Sequence, residues 1–98
     1  MQYTYITMCH DVAPDGTELA PPYADDGSLT LFDTFEEAYD AAKQASQEEL
    51  NDLNEDADNG IKFIGIGEKD LITVRRQDTN GKTEWITKRR IYPVEDNK

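Results

Sequence analysis

A long amphipathic segment in the middle of the chain constrains its fold more than any other feature. Between residues 35 and 57, apolar and small side chains recur at steps of three and four, the spacing of one face of an α-helix. The predicted stripe consists of Phe35, Ala38, Tyr39, Ala42, Ala45, Ser46, Leu50, Leu53 and Ala57. Charged and amide side chains occupy the opposite face, so the helix must lay its stripe on another layer of structure.

Both ends of this helix carry boundary signals. Thr34 and Glu37 fit a capping box, in which the Thr34 hydroxyl accepts a hydrogen bond from the Glu37 amide and the Glu37 side chain reaches back. Asn59 and Gly60 provide the left-handed residue at which helices commonly stop. We therefore predict a helix over about residues 34–58.

The segments on either side of the helix have the alternating apolar pattern of β-strands. The predicted strands are Gln2–Met8, Ser28–Phe32, Ile61–Ile66 and Lys69–Gln77, followed by a last strand that ends near residue 92. The order ββαβββ predicts an α+β fold, a two-layer sandwich in which one long helix packs on a mainly antiparallel sheet. We expect a single domain over residues 1–98, since a chain of this length builds one modest core.

A long connection separates the first two predicted strands. Residues 9–27 contain the turn signals Pro14-Asp15-Gly16, Pro21-Pro22 and Asp26-Gly27. A loop of this length is uncommon in a small domain unless it serves a function or is mobile.

The C-terminal hairpin, predicted over about residues 69–92, can be placed in register. The segment from Asp78 to Lys82 fits a type I turn with Gly81 in the left-handed position. Pairing Asp78 with Lys82 then gives three further pairs: Arg76 with Glu84, Val74 with Ile86, and Asp70 with Arg90. This register joins apolar with apolar and acidic with basic side chains, so we prefer it to a two-residue turn.

The formal net charge of -11 is the most unusual bulk property. Residues 1–33 carry six acids and no base, residues 34–60 nine acids and one base, and residues 61–98 six acids and nine bases. Phosphates would repel the acidic part, which argues against direct binding of nucleic acid or anionic membranes. A lone cysteine, Cys9, favours a reducing, cytoplasmic location, and no segment reaches the roughly 18 apolar residues of a membrane span.

No motif predicts a metal or a cofactor. Read as an EF-hand, Asn54, Asp56 and Asp58 would put Asn59 where a glycine is needed and Gly65 where a bidentate glutamate is needed. We therefore predict no bound metal and no cofactor.

The consecutive residues Cys9, His10 and Asp11 do not predict catalysis. Neighbours in a strand point to opposite faces, and the chain has one histidine, so a nucleophile and base would have to be built from these neighbours alone. We expect Cys9 to end a core strand and His10 to be exposed in the loop. The protein is accordingly predicted not to be an enzyme.

Basic residues cluster around one tryptophan near the C-terminus. Strict alternation divides them between two faces of the sheet. Arg75, Trp85 and Arg89 are predicted on one face, and Arg76, Lys88 and Arg90 on the other. This division weakens any resemblance to a nucleic-acid-binding surface and favours ion pairs in the sheet or a protein partner.

The predicted helix ends in carboxylates, and the helix dipole disfavours the negative charge of Glu55, Asp56 and Asp58 by roughly 0.3 to 1 kcal/mol each. Glu48, Glu49, Asp52, Glu55, Asp56 and Asp58 lie here with no basic residue among them. We predict that a protein with a basic surface binds this segment, which could imitate a nucleic-acid backbone, as expected of small phage or mobile-element inhibitors. The expected contact residues are Glu48, Asp52, Glu55, Asp56 and Asp58, with Asp25 and Asp26 if the long loop folds alongside.

Two other functions stay open on the sequence. The basic C-terminal hairpin could pair with the acidic surface of a second copy. The chain would then be a self-assembling structural domain, and a homodimer is one form it could take. Alternatively, the loop over residues 9–27 could form a small ligand-binding or enzymatic site.

Overall fold

The computed structural model describes residues 1–13, 16–25, 30–57 and 59–94, with Asp25 described by its backbone alone. The elements along the chain are β1 (Gln2–Cys9), β2 (Tyr23–Asp25), α1 (Phe35–Glu55), β3 (Lys62–Glu68), β4 (Leu71–Gln77) and β5 (Thr83–Val94). All paired strands in the five-stranded sheet are antiparallel, in the order β2-β1-β5-β4-β3. One helix on one antiparallel sheet confirms the predicted α+β fold.

The second strand lies earlier in the chain than predicted. We expected it at Ser28–Phe32, whereas β2 is Tyr23–Asp25, inside the segment predicted to be a loop. Phe32 still joins β1, since its N–H and C=O exchange hydrogen bonds with Tyr3, but it forms an isolated bridge. Residues 28 and 29 of the expected strand lie outside the described residues.

The helix begins as predicted and ends earlier. Thr34 has extended backbone angles and its hydroxyl accepts a hydrogen bond of 3.1 Å from the Glu37 amide. The last helical residue is Glu55, three residues before the predicted end at 58. Its last turn contains no basic residue, so helical carbonyls and carboxylates meet there without compensation.

The core lies between the helical stripe and the sheet. Ala38, Ala42, Ile72 and Ile91 form its buried centre, with Tyr3, Tyr5, Phe32, Phe35 and Tyr39 packed around them. Small helical residues let α1 approach the strands closely.

Two glycines of β3 lie beneath side chains of α1. A Cβ atom added to Gly65 would lie 2.8 Å from Cδ1 of Leu50, and one added to Gly67 would lie 2.5 Å from the hydroxyl of Tyr39. The side chains of Leu50 and Tyr39 therefore lie directly over the bare backbone of β3, and a larger residue at either glycine would displace them.

The C-terminal hairpin has the predicted turn, but its register changes further on. Arg76 pairs with Glu84 as expected, and Asp78 N–H bonds to the carbonyl oxygen of Lys82. A β-bulge then makes Val74 pair with Thr87 instead of Ile86, and Leu71 instead of Asp70 pairs with Arg90. The predicted opposition of Asp70 and Arg90 is thus wrong, although their side chains still form an ion pair of 3.3 Å.

Candidate functional site

The second half of α1 displays most of the predicted contact residues. Glu48, Asp52, Glu55 and Asp56 are all exposed, and we call this group the acidic end. Neighbouring positions three and four apart on a helix place their Cβ atoms roughly 5 to 6 Å from each other. The acidic end is therefore a continuous patch of carboxylates. Asp58 and Asp26 lie outside the described residues.

The described residues form no ion pair with the acidic end. The ion pairs among the described residues join His10 with Glu18, Lys82 with Glu84, Arg89 with Glu49, and Arg90 with Asp70. None of them includes a member of the acidic end. Its charge is left facing solvent.

Glu49, one position further along the helix, is bound by side chains of the sheet. Its carboxylate accepts hydrogen bonds from Arg89 Nη1 at 2.6 Å and from the Thr87 hydroxyl at 2.8 Å. Arg89 Nη1 also contacts the Ser46 hydroxyl at 3.1 Å, and the Arg89 and Glu49 side chains are 12% and 19% exposed. This pair fastens the helix to β5.

Sequence reasoning missed this pair because the apolar stripe hides it. Glu49 falls at the stripe position between Ser46 and Leu53, where an acid breaks the pattern. An acidic residue inside an apolar stripe signals a partially buried ion pair, since such a charge is rarely buried without a partner.

The first part of the long connection folds beside the end of the helix. Val12 and Glu18 form a bridge, and Ala13 N–H bonds to the carbonyl oxygen of Thr17. We call the described residues of this part, 11–13 and 16–19, the side hairpin. Gly16, with a φ of 89°, lies close to the guanidinium of Arg76, since an added Cβ would be 3.3 Å from Nη1.

The later part of the connection does not join the acidic end. Asp25 belongs to β2, which forms the sheet edge opposite β3. Helix α1 contacts β1, β3, β4 and β5, and within the described residues it makes no contact with β2.

His10 joins the side hairpin to the sheet. Its ring lies 2.9 Å from the carbonyl oxygen of Trp85 through Nδ1 and 2.9 Å from the Glu18 carboxylate through Nε2. It stacks on the Trp85 ring at 4.6 Å between centroids. The prediction of an exposed loop histidine is wrong, because His10 is 7% exposed.

Both neighbours of the His10 ring are hydrogen-bond acceptors, which favours the doubly protonated form. The bond to the Trp85 carbonyl raises the pKa of His10, the Glu18 and Glu84 carboxylates raise it further, and burial opposes them. His10 is therefore a clasp that keeps its positive charge to a higher pH than a free histidine does. This arrangement holds a structure together and offers no free base.

A cleft of about 640 Å³ opens between the side hairpin and the end of α1. Its walls are formed mainly by apolar side chains, among them Val12, Leu19, Leu53, Ile61, Phe63 and Ile86. Asp52 and Asp56 of the acidic end also line it, together with Arg76. The volume falls in the range of sites that take a small molecule or an anchoring side chain. Sequence reasoning gave no signal for this cleft, because it arises from segments far apart in the chain.

The sheet face away from the helix gathers basic residues. Lys88 Nζ lies 4.5 Å from the centre of the Trp85 ring, and Arg75 pairs directly with Trp85 across the strands. The predicted division is thus wrong, because the bulge turns Trp85 to the same face as Lys88. We call Arg75, Trp85, Lys88 and Arg90 the basic sheet face.

Comparison of the chain with protein families, with curated proteins and with solved structures gives no match. Within the described residues, no cluster of three or more His, Cys, Asp or Glu side chains is arranged to hold a metal ion. Over the same residues, no helix combines the length and apolar character needed to cross a membrane.

Proposed function

We propose that this chain is a small, non-enzymatic, cytoplasmic interaction domain whose acidic end binds a protein with a basic surface. The observation that carries the proposal is the exposure of four neighbouring carboxylates that form no ion pair with any described residue. Each of them weakens the helix on which it lies, so the fold alone gives no reason for them. A cationic partner would compensate this cost on binding.

The cleft favours a partner that is both basic and locally apolar. Asp52 and Asp56 contribute to the acidic end and to the lining of the cleft, beside Leu53 and Phe63. An apolar side chain seated in the cleft would bring neighbouring cations to the carboxylates. Anchors of this kind usually supply most of the binding free energy of an interface, while surrounding charges set specificity and association rate.

In its sharper form the proposal is nucleic-acid mimicry. Glu48, Asp52 and Asp56 follow one another at steps of about 6 Å along the helix axis. A strand of DNA likewise presents a row of closely spaced negative charges, one for about every 3.4 Å of duplex axis. A row of this kind would occupy the nucleic-acid site of its target, as an inhibitor carried by a phage or mobile element does.

Affinity capture tests the proposal. The tagged full chain is incubated with a nuclease-treated bacterial lysate, and bound proteins are eluted by salt and identified. We expect a basic, nucleic-acid-binding protein that the D52K/E55K variant fails to retain and that duplex DNA displaces. Retention of the same proteins by wild type and variant would reject the acidic end as the binding surface.

Self-assembly is the second candidate, because opposite faces of the molecule carry opposite charge. The basic sheet face lies on the other side of the sheet from α1, so a second copy could lay its acidic end there. Contacts between unlike surfaces repeat from copy to copy and give chains that lengthen with concentration. This candidate predicts assemblies that shorten as salt rises and disappear in the R75E/K88E variant.

A further inference from the structure

The outer edge of β3 is only partly covered. The Asn54 side chain donates to the carbonyl oxygen of Phe63 at 3.0 Å and accepts from its N–H at 2.9 Å. Phe63 therefore directs its backbone polar groups away from β4. Since these directions alternate along a strand, Gly65 and Gly67 direct theirs outward as well. Both glycines are exposed, and β3 is the last strand of the sheet on this side.

The sequence of β3 is complementary to itself when reversed. The other residues of β3 alternate with these three outward-directed residues, and their side chains lie on the sheet face away from the helix. They are Lys62, Ile64, Ile66 and Glu68. Antiparallel pairing about Gly65 would set Lys62 opposite Glu68 of a second copy and Ile64 opposite Ile66 of that copy. Opposite charges and apolar pairs placed directly across two strands are the combinations that stabilise a sheet.

We propose that β3 is an assembly site on which a second copy of this chain adds its own β3, giving one continuous antiparallel sheet across a twofold axis at Gly65. Three pairs would be hydrogen-bonded, Gly65 with its equivalent and Phe63 with Gly67 in both directions. Each such pair exchanges two backbone bonds, roughly six in all. The exposed side chain of Ile66, now 40% accessible, would be covered.

The helix flank beside this edge is compatible with close approach of two copies. A groove of about 250 Å³ runs between α1 and β3. Its helical wall consists of Tyr39, Lys43, Ser46, Gln47 and Leu50. This wall contains no carboxylate, in contrast to the outer face of the same helix. Two helices facing each other across the joined sheet would therefore not bring their acidic ends together.

The side chain of Asn54 covers part of the edge of β3. Its amide occupies the two backbone groups of Phe63 that the second copy needs, so it must release them when the strands join. The exchange replaces two hydrogen bonds by two others, which makes it nearly neutral in free energy. Side chains that blunt an edge strand in this way limit uncontrolled strand addition.

A charge exchange tests the assembly site. The molar mass of the full chain is measured by analytical ultracentrifugation over a concentration series at about 0.15 M salt. We expect a dimer for the wild type, loss of the dimer in K62E and in E68K, and its return in K62E/E68K. Lys62 and Glu68 are exposed, so we expect these variants to fold. K82E, at a side chain that is 71% exposed on the hairpin turn, carries the same charge change as K62E and is expected to keep the dimer.

Amide hydrogen exchange identifies the strand that pairs. The amides of Gly65 and Gly67 are expected to gain protection as concentration rises in the wild type and in K62E/E68K, and to lose it in K62E. Dimers in which these amides stay unprotected, or a monomer throughout the series, would overturn the proposal. Protection that appears only on addition of another protein would likewise overturn it and assign the edge to an extended segment of that protein. This surface is separate from the acidic end, so either proposal can fail without the other.

Discussion

Glu48 and Glu49 are neighbours in the sequence and have opposite roles in the structure. Glu49 faces the sheet, where it is bound by Arg89 and Thr87 and is 19% exposed. Glu48 faces solvent with Asp52, and neither forms an ion pair with any described residue. The same helix therefore has one side on which negative charge fastens the fold and another on which it is left available.

This difference explains how a strongly acidic chain can be folded and still keep charge for binding. Only one acid of the second half of α1 is used between the layers, and the remaining ones lie on the outer face. The stability of the domain and its affinity for a partner should thus depend on different carboxylates. The following substitutions test that separation, in order of decreasing effect.

Glu49→Gln should destabilise the fold, because it removes the carboxylate that joins α1 to β5. It leaves the partially buried guanidinium of Arg89 without its counter-charge, which we expect to lower the free energy of unfolding by about 2 to 4 kcal/mol. Urea denaturation followed by circular dichroism measures the change. Glu48→Gln is the matched control and should alter stability by less than about 0.5 kcal/mol. Equal losses in the two variants would contradict the assignment of separate roles.

Leu19→Ser should weaken partner binding and leave the stability of the fold unchanged. Leu19 lines the cleft and is 65% exposed, so its replacement removes apolar contact from the partner and leaves the fold intact. We expect partner affinity to fall by roughly 1 kcal/mol, or about fivefold. Leu31→Ser, at a residue 47% exposed and outside the cleft, is the control. A titration in which both variants bind like the wild type would remove the cleft from the interface.

Asp56→Lys should separate stability from binding by moving them in opposite directions. A cation at the helix C-terminus interacts favourably with the dipole, so unfolding should become less favourable by about 0.5 kcal/mol. The same change reverses a charge of the acidic end and should weaken partner binding. A variant that is less stable than the wild type would contradict the view that the fold tolerates this acid at a cost.

His10→Gln tests a second charged group that stabilises the fold. Its effect should be smaller, because the Glu18 side chain is 56% exposed and water screens its charge. The pKa of His10 is raised in the folded state, mainly by the Trp85 carbonyl. Its stabilisation is therefore fully present below the unfolded value of about 6.5 and is lost as pH rises through the folded pKa. The stability difference between wild type and variant should be larger at about pH 5.5 than at about pH 8.5. A difference that grows with pH would refute the charged clasp.

Local patterns predicted much of this fold. The stripe from Phe35 to Leu53, the cap at Thr34 and the turn at Asp78 each depend on residues within a few positions of one another. Arg76 and Glu84 follow from that turn, and the structure pairs them as predicted.

Features that depend on distant segments could not be predicted from such patterns. His10 N–H bonds to the carbonyl oxygen of Ile86, so the region of the bulge is joined to the end of β1. The bulge shifts Trp85 beside Lys88, and the cleft depends on the side hairpin meeting α1. Of the candidate site, the acidic end was visible as a charge anomaly, whereas its cleft and its contrast with Glu49 required the tertiary structure.

The most direct test of the central claim is the affinity of the captured partner for two variants of equal net charge. D52K/E55K reverses two members of the acidic end, and D33K/D40K reverses two exposed acids nearer the helix start, with Asp40 about 18 Å from Asp52 along the axis. Isothermal titration should show binding at least tenfold weaker for D52K/E55K, with D33K/D40K close to the wild type. Equal weakening in both would mean that the partner responds to overall charge, which would contradict a defined binding surface at the end of the helix.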